Sequence, residues 1–435
     1  MKLFAAIALG AGALVLSAVS SPAGAATAKH ARAVGFNCIS SCADYESTIN
    51  QFFTDVAADS GLTTNVYSVL TQYSSILYST TFGGSYVDGS PYPTKQCHDG
   101  FDKYCLTDAQ LQAEIGKVIA ANGWPTESTT ALYFIFTPAN VGICQHPGWP
   151  IDGVPCTTNA FCAYHHNLGD SFIYVVEPDA AAVSDGACLT GESPAGNAAD
   201  ATLSTISHEH IEAITDPYGD GWWSEDPEPP PNNPSGPSGA SGPFYGSEIA
   251  DLCGWNFGDP LGTTLEGESY NQVINGHEYF LQQEWSNADE GCVQYAGGTV
   301  TNADPNDPLH DPPYAGVGPL VAHGGPVMTS TTVYAIYWVP ARPANSHLPT
   351  IAGQAKVGKK LRALHGAWSN SPTFAYRWLR CSAAGTSCKG IKHATGSSYR
   401  LAPADTGHRL EVRVTATNPG GRARATSAPT GKVRS

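Results

Sequence analysis

The chain has 435 residues, 42% of them apolar and only 14% charged, and a formal net charge of −16. So long a chain exceeds one typical domain, and so few charges exclude a disordered chain or a long coiled coil. The charge is segregated: from Thr350 onward there are 15 Lys/Arg and 2 Asp/Glu, against 7 and 36 before it, a jump that marks a domain boundary.

In chain order, residues 3–20 form the only long apolar run, preceded by Lys2 and followed by Ala23-Gly24-Ala25 and Ala26-Thr27-Ala28. Small residues and a cleavage signature read as a signal peptide over 1–28, so a secreted, extracellular protein with no membrane span is expected. Twelve cysteines fit an oxidising compartment. Ten lie between Cys38 and Cys292 and two in the basic tail, which predicts six disulfides, with Cys38/Cys42, Cys97/Cys105 and Cys381/Cys388 the nearest pairs.

Residues 36–300 read as the first domain, with the apolar spacing of Tyr45, Ile49, Phe52, Phe53 and Val56 predicting a helix over 43–59. The runs at 131–136 and 171–176 are too apolar for exposed edges and predict buried strands. Between them, the Cys-, Gly- and Pro-rich stretch 142–169 reads as a disulfide-pinned loop. Residues 199–217 predict a second helix, capped by Asp200, with Leu203, Ile206, Ile211 and Ile214 as its apolar stripe and Pro217 as its stop. Residues 226–243 are a low-complexity insert that cannot pack a core. Residues 278–285 alternate like one strand leading to Cys292.

Residues 301–323 read as a linker. The run 324–340 that follows is too apolar for one: within it, both faces of 332–339 are apolar, so this strand is expected to return to the first domain's sheet. Residues 349–435 carry turn signals about every ten residues, which predicts a small all-β sandwich with Tyr376 and Trp378 inside. It resembles the immunoglobulin-like modules of bacterial surface proteins. Its basic charge suits an anionic cell-wall polymer or the acidic first domain.

The chemistry concentrates in Ser207-His208-Glu209-His210-Ile211-Glu212 on the second helix. His208 and Glu212, four apart, share a face and can hold one Zn²⁺ jointly. Glu209 is rotated by roughly 100° and would act as general base on a water polarised by the zinc. This is a zincin arrangement with Glu in place of the second His. Glu248, in the later Ser247-Glu248-Ile249-Ala250-Asp251-Leu252-Cys253, can supply a third ligand, with Asp251 the alternative to it for that place. Where Glu248 is the ligand, Asp251 would accept the remaining imidazole N–H of His208. His165 is placed to hydrogen-bond a developing oxyanion. His210 should point away from His208.

The plainer readings are a solvated helix face for the first motif and a disulfide-anchored helix for the second. Cys162, His165 and His166 have metal-like spacing, but Cys162 in such a chain reads as a disulfide. The acidic loop 216–226 lacks an EF-hand's order of oxygen ligands, with Tyr218 and Pro227 in the way. No phosphate loop, dinucleotide fingerprint or serine-nucleophile motif occurs, and no nucleic-acid partner is expected.

Taken together, SHEHIEAITDP, Gly221-Trp222-Trp223, EIADLC, the FCAYH at 161–165 and a terminal Glu-Trp-Ser-Asn…Cys resemble the plant phosphate-induced/EXORDIUM proteins and their secreted bacterial relatives, over residues 43–295. The resemblance implies that His208, Glu209, Glu212 and Glu248 form one site, and that a strand like 332–339 belongs at the head of the domain, making this chain a circular permutation. The expected fold is an α/β (α+β) zincin-like domain with a mixed sheet, followed by the small sandwich. The expected function is a secreted zinc-dependent hydrolase, a metallopeptidase acting on a protein or peptide. The alternative is a non-enzymatic EXORDIUM-like protein that binds wall glycans or signals.

Overall fold

Ala131–Thr137, buried at every position, can only be a strand covered on both faces, and it is the middle of the main sheet. The computed structural model describes residues 42–435 apart from 94–96, 101, 103, 127, 128, 148–153, 159, 182, 226–246, 301–318, 371 and 419. The expected signal peptide, Cys38, the low-complexity insert and most of the linker therefore lie outside the described residues. The chain divides into two units, Met1–Val87 with Pro93–Tyr337, and Asp88–Tyr92 with Trp338–Ser435.

In the first unit, helix α1 (Cys42–Ala58) leads to strand β1 (Thr80–Asp88), then β2 (Tyr104–Thr107) and α2 (Asp108–Asn122). Strands β3 (Ala131–Thr137), β4 (Val141–Cys144), β5 (Tyr164–Asn167) and β6 (Ile173–Pro178) follow, then helix α3 (Ala199–Thr215) and, far along the chain, β7 (Thr331–Trp338). The main sheet runs β1-β7-β3-β6-β5 and is mixed. β7 is parallel to β3, with Thr332 opposite Ala131 and Tyr337 opposite Phe136; β6 is parallel to β3, and β5 is antiparallel to β6. Leu77 N–H donates to Thr329 O and Thr331 N–H to Ser79 O, so the segments entering β1 and β7 advance together.

Alternation explains the two covers. Phe134 meets Phe53 of α1, with ring centroids 4.9 Å apart, and Tyr337 OH donates to Asn50 Oδ1 of α1 at 2.9 Å. On the other face Tyr133 stacks on Tyr334, and Gln112 of α2 donates to Tyr174 OH. Gly83 of β1 lies under Tyr334: a Cβ there would sit 2.4 Å from the ring. Helix α2 opens where Gln110 Oε1 accepts from Thr107 N–H at 3.0 Å, and it ends at Gly123 with φ +64°.

Several local expectations need correction. The stretch 142–169 is not one loop, because it contains most of β4, pinned by Cys144–Cys156, and the edge strand β5. The alternating run 278–285 breaks into His277–Tyr279 and Glu284–Ser286, because Gln282 and Gln283 turn inward as buried polar residues. The last linker residues form a strand too, Leu320–Ala322, antiparallel to Trp222–Ser224. Disulfides join Cys97–Cys105, Cys144–Cys156, Cys162–Cys188, Cys253–Cys292 and Cys381–Cys388, and no described cysteine is free. Cys162 is thus a disulfide partner, and Cys38/Cys42 lies outside the described residues. No described helix is long and apolar enough to cross a membrane.

The second unit is all antiparallel. One sheet joins β8 (Thr350–Ala352), β9 (Lys360–Leu364) and β12 (Ser398–Arg400); a second joins β11 (Cys388–Gly390), β10 (Thr373–Cys381), β13 (Arg409–Asn418) and β14 (Gly421–Thr426); and a short pair joins Asn345–His347 to Ala367–Trp368. Leu361 and Ala363 share a core with Trp378, Leu410 and Val412, and Trp378 Nε1–H donates to Gly396 O at 3.0 Å. Tyr376 is only partly buried against it.

Candidate metal centre

Three segments converge at α3. Just ahead of the helix, Asn197 Oδ1 accepts from the first helical N–H, that of Ala199, at 2.9 Å. Asp200, expected to be the cap, instead turns back to accept from Ala195 N–H and Asn197 N–H. Helix α3 packs against α1, β5 and β6, so the motif does not lie on a solvated face. Glu209 is 3% and Glu212 0% exposed, while the His208 side chain keeps 18%.

Past Thr215 the chain reverses, and Asp216 Oδ1 accepts from Gly221 N–H at 2.7 Å. Only glycine fits there, since a Cβ on Gly221 would lie 2.3 Å from Thr215 O. One of the loop's carboxylates, that of Asp216, is thus engaged by the turn itself. On β5, alternation sends Tyr164 toward α2, where its OH donates to Asp108, and His165 toward α3. The segment around Glu248 is pinned by Cys253–Cys292 and by Trp285 N–H donating to Ile249 O.

The result is two overlapping groups that share Glu212. His208 Nε2 lies 3.1 Å from Glu212 Oε1 and 3.6 Å from Asp251 Oδ1. His165 Nδ1 lies 3.2 Å from Glu209 Oε2 and 3.7 Å from Glu212 Oε2. Within each trio, His208/Glu212/Asp251 and His165/Glu209/Glu212, the ligand atoms come within 4.8 Å of one another, close enough to hold a metal ion. Asp251 N–H donates to Glu212 Oε1 at 3.0 Å, and Glu248 N–H donates to Asp251 Oδ2 at 3.2 Å.

Two assignments change. Glu248 faces His165, with Oε1 3.7 Å from Nε2, and it is Asp251 that stands beside His208. Asp251 also approaches the same nitrogen as Glu212, so it does not hold the other one: Nδ1 faces the amide of Gln282, with Nε2 at 3.2 Å. Gln282 belongs to the run 278–285, and nothing in its spacing points to the helix, which is why the sequence does not reveal it. His165 sits among Glu209, Glu212 and Glu248, and its Nε2 is 3.3 Å from Asp216 O. His210 does point away: its nitrogens meet Tyr67 OH at 3.1 Å and Thr331 Oγ1 at 3.2 Å.

The electrostatics follow from crowding carboxylates in a buried place. Burial works against charge on His165, but Glu209, Glu212 and Asp216 hold its imidazolium up to about 9. Burial opposes charge on His208 too, and Glu212 and Asp251 raise it well above the ordinary range. Burial and then Asp251 push Glu212 up to about 7, against the pull of His208. Burial, then Glu212, Asp216 and Asp251, raise Glu248 well above its usual range. His210, buried away from these acids, is pulled down to about 3. Glu212 Oε2 makes no hydrogen bond. A buried acceptor in that state costs roughly 1–3 kcal/mol, which a bound cation would relieve.

No protein-family model matches this chain, and no curated protein matches it in sequence.

Proposed function

We propose that the chain is a secreted zinc-dependent hydrolase, a peptidase, whose ion is held by His208, Glu212 and Asp251. The observation that supports it is the surroundings of His208 Nε2, which faces a wholly buried Glu212 oxygen at 3.1 Å and an Asp251 oxygen at 3.6 Å. Zinc bonds of about 2.1 Å in a tetrahedron place ligand atoms about 3.4 Å apart, and the 3.1 and 3.6 Å separations around His208 Nε2 bracket that figure. Nitrogen with carboxylate oxygens is a donor set zinc accepts. Gln282 Oε1, 3.4 Å from Nδ1, can accept the ring N–H that ligation through Nε2 requires.

A divalent ion there supplies Lewis acidity toward a substrate carbonyl. The chain supplies the proton chemistry. Glu209 is the proton acceptor, and His165, 3.2 Å from it, orients the carboxylate and takes up the charge. Export, the likeness to EXORDIUM relatives and the permuted position of β7 belong to the same reading. So does a wall-anchoring role for the basic second unit, where Arg377 stands opposite Arg413 across the sheet.

A second reading is favoured by burial. With Glu212 0% and the Asp251 side chain 4% exposed, the ion would be structural and the protein a non-enzymatic wall or signalling component. The test is metal content after dialysis, followed by turnover of a mixed peptide library. One zinc retained by Glu209→Gln with hydrolysis down ~10²–10⁴-fold supports the hydrolase. Retained zinc with no turnover in either protein supports the structural ion. A zinc content unchanged in Glu212→Ala sinks both.

A further inference from the structure

Glu212 divides its two oxygens between two neighbours. Oε1 faces His208 at 3.1 Å and accepts from Asp251 N–H, whereas Oε2 faces His165 at 3.7 Å and makes no hydrogen bond. Around that second oxygen stand His165 and Glu209, both buried. We propose that His165, Glu209 and Glu212 form a second divalent-cation site, joined to the first through the carboxylate of Glu212, and that filling it withdraws Glu209 from accepting protons. The inference rests on the metal reading above and adds a built-in inhibitory site to it.

Three observations lead there. The His165 Nδ1 separations, 3.2 and 3.7 Å, again bracket the edge of about 3.4 Å expected for zinc. The orphaned Oε2 is not served by the first ion, which lies on the Oε1 side. The third is charge. Glu209, Glu212, Asp216, Glu248 and Asp251 crowd two imidazoles, and with all five ionised, one divalent ion on His208 and a protonated His165 leave an excess of two negative charges. A second divalent ion, taking the place of that proton, reduces the excess to one, in surroundings where uncompensated charge is expensive. Two cations sharing one carboxylate repel each other, so the second binds more weakly and acts when the cation is in excess.

The test uses the full chain, stripped with chelator and titrated with Zn²⁺ by calorimetry, with bound metal read independently after gel filtration. Two equivalents are expected, the second weaker by roughly ten-fold or more. Glu209→Gln and His165→Gln should each lose the weak equivalent and keep the tight one; His208→Ala should lose the tight one. With Co²⁺ as probe, the second equivalent should perturb the visible and paramagnetic signature of the first, because they share a carboxylate. A single tight equivalent that depends on His208 overturns the second site and leaves the proposed function standing. Two equivalents that survive both glutamine substitutions place the second ion elsewhere and overturn it as well. No bound equivalent refutes both readings.

Discussion

His210 gives a sharp test of how the centre is walled off from its surroundings. Its ring is wholly buried, wedged near Phe53, Phe134 and Tyr67, with both nitrogens used by Tyr67 and Thr331. Burial holds it neutral down to about pH 3, whereas in the unfolded chain it takes a proton near 6.5. The folded pKa is lowered, so the stabilisation is complete above 6.5 and is lost as pH falls toward 3. Each pH unit inside that window is worth about 1.4 kcal/mol, so between pH 6.5 and 4.0 this one residue removes about 3 kcal/mol from folding. His210→Gln keeps a polar side chain but does not titrate. It should be less stable than the parent at pH 7, with the gap closing by about 3 kcal/mol at pH 4.0 in urea unfolding with disulfides intact. Stability curves that run parallel over that range would refute the burial argument.

Gly83→Ala drives a methyl into the ring of Tyr334 and should cost about 1–3 kcal/mol. Tyr334→Ala should abolish that increment in a double-mutant cycle, and an undiminished cost would place the strain elsewhere. Asp102 is raised to about 7 by burial and by Asp99, so the folded state keeps a proton that the unfolded chain releases near 4. Its contribution is full below 4 and is lost as pH rises through 7. Asp102→Asn should therefore show a smaller fall in melting temperature between pH 5 and 8 than the parent, and an equal fall would count against it.

What is legible in the sequence is what period and chemistry encode locally. Helix α1 and strands β3 and β6 follow from apolar spacing, and the turn holding His208 and Glu212 follows from the four-residue rule. The mixed α/β character of the first unit and the antiparallel second unit are readable as well. Helix α2 is absent from the expectations although its signals are present, with Leu111, Ile115, Val118 and Ile119 on one face between Thr107 and Gly123. At the centre, the choice between Glu248 and Asp251 depends on how a tight turn near Cys253 aims two carboxylates three residues apart. Spacing does not encode that. Gln282, 74 residues beyond His208, meets it only through tertiary packing.

The position of β7 between β1 and β3 bears on how the molecule is made. As the chain is synthesised, β1, β3 and β6 are all available by residue 178, yet the strand that belongs between two of them begins only at Thr331. Its pairing spans about two hundred residues, since Thr332 meets Ala131, and such parallel, long-range contacts form late and slowly. Until then β3 presents an open edge to the solvent and to its neighbours, a template for aggregation. His210, whose Nε2 waits for Thr331, cannot find its last hydrogen-bond partner either. The same strand that closes the sheet thus completes the support beneath the turn that holds His208 and Glu212, and it does so as one of the final acts of folding the first unit.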